Sequence, residues 1–156
     1  MSDAPTNLGV LKRSRKKPEV GDLFVMLPPD GKYLFGRVIR TDALGPMKAL
    51  LIYIYANRSE SKEVPEDLSP RSLLIPPTCT NALGWTHGRF ETIENRPLGP
   101  GDVLERHCFY AAGRYYDEDA RPLSKKSEPC GIGGVTSYRM LDDVISDALG
   151  IPRVPE

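Results

Sequence analysis

The chain is poor in the residues that catalysis and metal binding draw on. It has two histidines and three cysteines in 156 residues. Cys79, Cys108 and Cys130 are odd in number and irregular in spacing, which argues against a disulfide framework and fits reduced thiols. With His87 and His107 they form no CxxC or HxxxH pair, so only a site assembled from distant loops could hold zinc. His107 and Cys108 are neighbours and would point to opposite faces of a strand, so no Cys–His nucleophile motif exists. Ser59, Ser61, Ser72 and Ser124 lie in polar stretches without a GxSxG context. No carboxylates form a recognisable acid–base pair. The expectation is a protein that is not an enzyme and needs no cofactor or metal.

Charge of one sign and long apolar runs are also missing. Lys plus Arg and Asp plus Glu number 21 each, so the formal net charge is zero and nothing global points to nucleic acid or membrane. No run approaches the ~18 apolar residues needed to span a bilayer. Met1 to Asn7 is polar and Leu8 to Leu11 is too short for a signal-peptide core, so a cytoplasmic address is expected.

Turn formers, by contrast, are abundant. Fifteen prolines and 14 glycines favour many turns and short strands over long helices. Val20 to Arg40, VGDLFVMLPPDGKYLFGRVIR, reads as a β-hairpin. Asp22 to Leu27 is apolar on both faces, which implies cover on both sides. Pro28 and Pro29 end it, and Asp30-Gly31 suits a turn. Tyr33 to Arg40 returns, with Gly36 inside it, a sign of a bulge, a bend or a close backbone approach. Ala49 to Tyr55 (ALLIYIY) is again apolar on both faces and is expected to be central in its sheet.

Further short strands are expected at Leu73–Ile75, Arg89–Ile93 and Asp102–Ala112, with a long polar loop over Asn57–Ser69. One helix is well marked. Leu141, Val144, Ile145, Ala148 and Leu149 form a single stripe, Thr136 or Ser137 caps it, and Gly150 with Pro152 ends it. The fold class is therefore mainly β (α+β). It is expected to be a small twisted antiparallel sheet or partly open barrel, opened by the hairpin, with one C-terminal amphipathic helix. Residues 1–17, with Lys12, Arg13, Arg15, Lys16 and Lys17, are expected to be a flexible basic arm, and 18–156 a single globular domain.

Two features remain as candidate sites. Gly131 to Ser137 precedes the helix, where a Gly-rich loop can cradle an anion, but it lacks the GK[ST] of a P-loop. A turn feeding the helix explains it as well. Tyr115 and Tyr116 flank Asp117, Glu118 and Asp119, a combination suited to docking a basic protein because aromatics anchor and charges steer. Glu60 and Glu63, in the long polar loop, are added as contact candidates. A solvated turn is the plain alternative for the acidic group.

Val20-Gly21-Asp22-Leu23-Phe24, Pro29-Asp30-Gly31-Lys32-Tyr33 and Phe35-Gly36-Arg37-Val38 resemble the opening of the immunity protein 26 family. Gly84-Trp85, Arg89-Phe90-Glu91-Thr92-Ile93 and Arg96-Pro97-Leu98 resemble its later part, so the likeness spans about Pro18 to Leu98. The resemblance implies a bacterial β-rich immunity protein, an antitoxin that binds and neutralises a cognate polymorphic toxin without catalysis. It implies scaffold roles for the matched residues, with Trp85 a core or rim aromatic, and supplies no shared active residue. The alternative is a small β-barrel nucleic-acid module, in which the basic arm and Tyr33, Phe35, Tyr53 and Tyr55 contact backbone and bases. Zero net charge weighs against it.

Overall fold

The structure is a computed structural model and describes residues 4–155. Residues 1–3 of the expected arm, and residue 156, lie outside the described residues. The fold is mainly β: among the described residues, eight strands lie in two sheets that do not close into a barrel.

The hairpin forms as its sequence implies. Strand β1 (Asp22–Met26) pairs antiparallel with β2 (Tyr33–Ala43). Strand β3 (Ala49–Ser59) pairs with the other side of β2, β4 (Thr78–Thr80) adds to β3, and β5 (Glu91–Asn95) adds to β1. The order β4-β3-β2-β1-β5 makes β2 the middle strand; β3, expected to be central, lies one place from it. The β2–β3 register shifts between Leu34 and Gly36, the irregularity that an interior glycine foreshadows.

Both faces of this sheet are covered, as apolar residues at successive positions require. One face buries Phe24, Met26, Leu34, Val38, Ile52 and Ile54 against Trp85, Phe90 and the stripe residues Leu141 and Ile145. Those last two belong to α2 (Tyr138–Leu149), capped by Ser137, whose Oγ accepts from the Met140 N–H, and ended at Gly150 in the left-handed region. The opposite face buries Val25, Phe35, Ile39, Leu51, Tyr53 and Tyr55 against Cys79 and Phe109. Phe109 lies in β6 (Cys108–Ala111), the middle of a three-stranded sheet with β7 (Arg114–Tyr116) and β8 (Cys130–Ile132).

Trp85 is a core aromatic. It sits in a short helix, α1 (Leu83–Thr86), with its ring 5.0 Å from Phe24 and 5.1 Å from Phe90, and its indole N–H donates to Thr92 Oγ1. Gly36 explains itself here. A Cβ on Gly36 would lie 2.6 Å from Phe24 Cε2 and 2.8 Å from Cε1, so the backbone of β2 is in contact with the face of that ring.

Two local expectations come out differently. Leu73–Ile75 makes only one isolated bridge, Leu73 to Tyr55; Pro76 and Pro77 supply no donors, and pairing resumes at Thr78. Asp102–Ala112 is strand only from Cys108, because Asp102 caps a loop by accepting from the Gly99 N–H. Described residues of the expected arm make hydrogen bonds to the domain. The Gly9 N–H donates to Leu27 O and the Leu11 N–H to Gly88 O. Buried Asp142 on α2 accepts from the Asn7 and Leu8 N–H groups, at 2.8 and 2.9 Å. Composition alone marked this segment as basic and polar; apolar Leu8, which is buried, is what seats it.

Candidate functional site

The candidate residues fall in two places. Tyr115 to Asp119 run from β7 into a turn beside the three-stranded sheet, whereas Glu60 and Glu63 are exposed just past the end of β3. The acidic turn is tied to β2 at Arg40, which stands opposite Leu51 of β3. Leu51 to Ser59 along β3 is roughly 25 Å at the usual strand rise. The two sets therefore occupy opposite ends of the main sheet and make no common cluster.

Within the turn, the carboxylate oxygens of Asp117, Glu118 and Asp119 converge within 4.8 Å. Each has an internal partner. Asp117 Oδ1 accepts from the Asp119 and Arg121 backbone N–H groups, both at 2.9 Å, which closes the turn. Asp119 pairs with Arg40 at 2.8 Å, and the Arg40 guanidinium holds its carboxyl below the usual carboxylate range. Glu118 meets His107 Nδ1. The three acids thus hold the turn itself together, and Asp119 is neutralised by Arg40.

His107 extends that network inward. It is buried, and its Nε2 is 2.6 Å from Tyr53 Oη. Tyr53 Oη also accepts from the Leu104 N–H at 3.0 Å. One proton arrangement satisfies every member: Tyr53 donates to Nε2, and Nδ1–H donates to the Glu118 carboxylate. Burial pushes Tyr53 up to about 12, so it stays a donor at neutral pH. Residue spacing alone gave His107 no partner. Its one local signal is the neighbour Cys108, and its partners are 54 and 11 residues away.

Tyr115 and Tyr116 face opposite sides of β7. Tyr116 stands opposite Phe109, on the core side, while Tyr115 stands opposite Tyr110 on the outer side. Ile132 of β8 stands opposite Tyr110 from the other direction. Tyr110 and Ile132 are about half exposed, at 51% and 54%, and the Tyr110 and Tyr115 rings are 5.6 Å apart. An aromatic and aliphatic row, Tyr115–Tyr110–Ile132, therefore crosses the outer face of the small sheet. Sequence reading placed Tyr110 in a strand without giving it this role, because the row depends on the pairing of three separated segments.

The glycine-rich run before α2 is used for close packing. The backbone at Gly131 lies against Pro77 O, and the Gly133 N–H donates to Tyr110 O at 2.7 Å. That accounts for these glycines without an anion. The aromatics proposed for base stacking are mostly inaccessible, since Phe35, Tyr53 and Tyr55 are buried. Among the described residues, no helix is long and apolar enough to cross a membrane.

No curated protein and no solved structure matches the chain. The family model described as immunity protein 26 matches residues 19–110, from just before β1 into β6. This reaches further than the Pro18–Leu98 resemblance, and it leaves the acidic turn, β8 and α2 past its end. The matched stretch is more than half of the chain and includes every strand of the main sheet: the chain belongs to the immunity protein 26 family.

Proposed function

We propose that this protein is a bacterial immunity protein that acts in the cytoplasm by binding a cognate toxin domain and blocking it, without catalysis. The family supports an immunity role in general. The observation that carries the surface is the row Tyr115–Tyr110–Ile132, in which Tyr110 and Ile132 are exposed and Tyr115 is half-buried. Tyrosines are favoured interface anchors because they combine a large apolar area with a polar tip. The acidic turn at Asp117–Asp119 borders β7. Because Glu118 and Asp119 are paired internally, the turn contributes a rigid edge, and attraction to a basic toxin is secondary. Glu60 and Glu63, at the far end of the main sheet, stand as a separate rim contact. Tyr116 supports the surface from the core side.

The test is co-expression with the toxin domain encoded beside this protein, followed by capture and by survival of the cells. Tyr110→Ala and Tyr115→Ala are each expected to weaken binding by about 30-fold, the effect of one anchor worth ~2 kcal/mol. Absence of capture and of protection by the unaltered protein would defeat the immunity reading. Protection undiminished by both substitutions together would defeat the assigned surface alone.

A further inference from the structure

β6 and β8 run parallel, and their register sets Cys108 directly opposite Cys130. Neighbouring strands are roughly 4.7–4.9 Å apart, within the Cα separation of roughly 4.4–6.8 Å that a disulfide bridges. The side chains already meet: both cysteines are free thiols, and their Sγ atoms are 3.1 Å apart. Cys108 is buried, whereas Cys130 is partly exposed and lines a pocket of about 130 Å³ with Ile75, Thr78, Ile132 and Leu141. The third cysteine, Cys79, is fully buried in the core between the sheets.

We infer that Cys108 and Cys130 form a dithiol site that closes to an intramolecular disulfide by exchange with a low-molecular-weight disulfide such as oxidised glutathione. Cys130, the accessible thiol, loses its proton to solvent and attacks one glutathione sulfur. A Cys130–glutathione bond forms, and the first glutathione leaves as its thiolate. Cys108, deprotonated in turn, attacks the Cys130 sulfur and displaces the second glutathione. Two protein thiols are oxidised, one glutathione disulfide is reduced to two thiols, and the protein loses two hydrogens. Burial pushes the Cys130 thiol up, and its hydrogen bond with Cys108 adds to this, so exchange proceeds through a minor thiolate population.

The bond would close a ring around residues 108–130, which holds β7, the acidic turn and the polar loop after it. It would also fasten β8, a three-residue edge strand, to its neighbour. Edge segments of this kind open locally before the core does, and the closed ring restrains that opening. The assignment does not depend on the toxin-binding reading, and its test uses no partner.

The unaltered protein and Cys79→Ser are incubated with oxidised glutathione in mildly alkaline buffer, then denatured for thiol counting and mapped as non-reduced peptides. The expected result is a fall from three free thiols to one in the unaltered protein. A single Cys108–Cys130 peptide link should appear in both proteins and be reversed by dithiothreitol. Backbone amides of residues 130–132 should exchange more slowly in the oxidised form. A stable glutathione adduct at Cys130 with Cys108 still free, a disulfide-linked dimer, a link to Cys79, or three unreacted thiols would each overturn the inference.

Discussion

Gly36→Ala is the sharpest test of how this core is built. The position has an ordinary strand conformation, so on backbone grounds alone Ala should stabilise the strand by roughly 0.5–1 kcal/mol. The new Cβ would instead meet three atoms of the Phe24 ring, two of them at 2.6 and 2.8 Å. The ring cannot swing aside freely. Phe24 is fully buried, with Trp85 centred 5.0 Å away and Phe90 5.2 Å away. Overpacking of this kind costs about 3 kcal/mol at the upper end of its range. Less the backbone gain, a net loss of about 2 kcal/mol follows, or a Tm lower by roughly 4–8 °C for a domain of this size. Calorimetry and urea denaturation would measure it. Phe24→Leu removes the ring atoms that collide, at its own cost in cavity. In that background, Gly36→Ala should be neutral or stabilising by ~0.5 kcal/mol. An equal loss in both backgrounds, or none in the unaltered protein, would refute the argument that the ring face demands glycine.

Asp142→Ala should cost about 2–4 kcal/mol, since it strands the Asn7 and Leu8 N–H donors, and limited proteolysis should then cut within the first 14 residues before the core. Uncut N-terminal residues in a destabilised variant would show that the segment is held by something else. Ser137→Ala should lower stability by about 1 kcal/mol in urea denaturation through loss of the α2 cap; no change would mean that the Met140 N–H finds another acceptor. Burial holds the Tyr53 and Tyr55 hydroxyls and the Cys79 thiol up at about 12 in the folded state, against 10.0 for the tyrosines and 9.0 for the thiol. Their contribution is therefore complete below about pH 9 and is lost as pH rises toward 12. Urea midpoints should fall over that window, and the two tyrosines should ionise with unfolding; if replacing Tyr53 and Tyr55 by Phe removed tyrosinate absorbance already present at pH 10 in the folded protein, the reasoning would be contradicted.

The elements that could be read without the structure were those whose signal is local. The Asp30-Gly31 turn between two apolar runs, and the Leu141–Leu149 stripe with Ser137 and Gly150 at its ends, state their conformation within a few residues. The failures have a common form. Asp102–Ala112 has strand-like residues, but Asp102 is diverted to cap its own loop. In the same way, nothing near Asn7 and Leu8 announces the acceptor on α2 that their N–H groups meet. Among the candidate contacts, Tyr115 and Tyr116 were chosen together by adjacency, whereas strand alternation sends one outward and one inward.

The sequence by itself determined the β-rich class, the hairpin and the C-terminal helix, because periodicity and turn chemistry act over short spans of chain, and its matched motifs carried the family resemblance. Only the tertiary structure decided what the acidic turn does. Arg40 and Asp119 are 79 residues apart, and their pairing makes one end of the acidic turn a structural joint to the main sheet. The same holds for the outer-face row of Tyr115, Tyr110 and Ile132, and for the facing thiols of Cys108 and Cys130. Each is made by strand order and register, which depend on how the whole core packs and are written in no single stretch of residues.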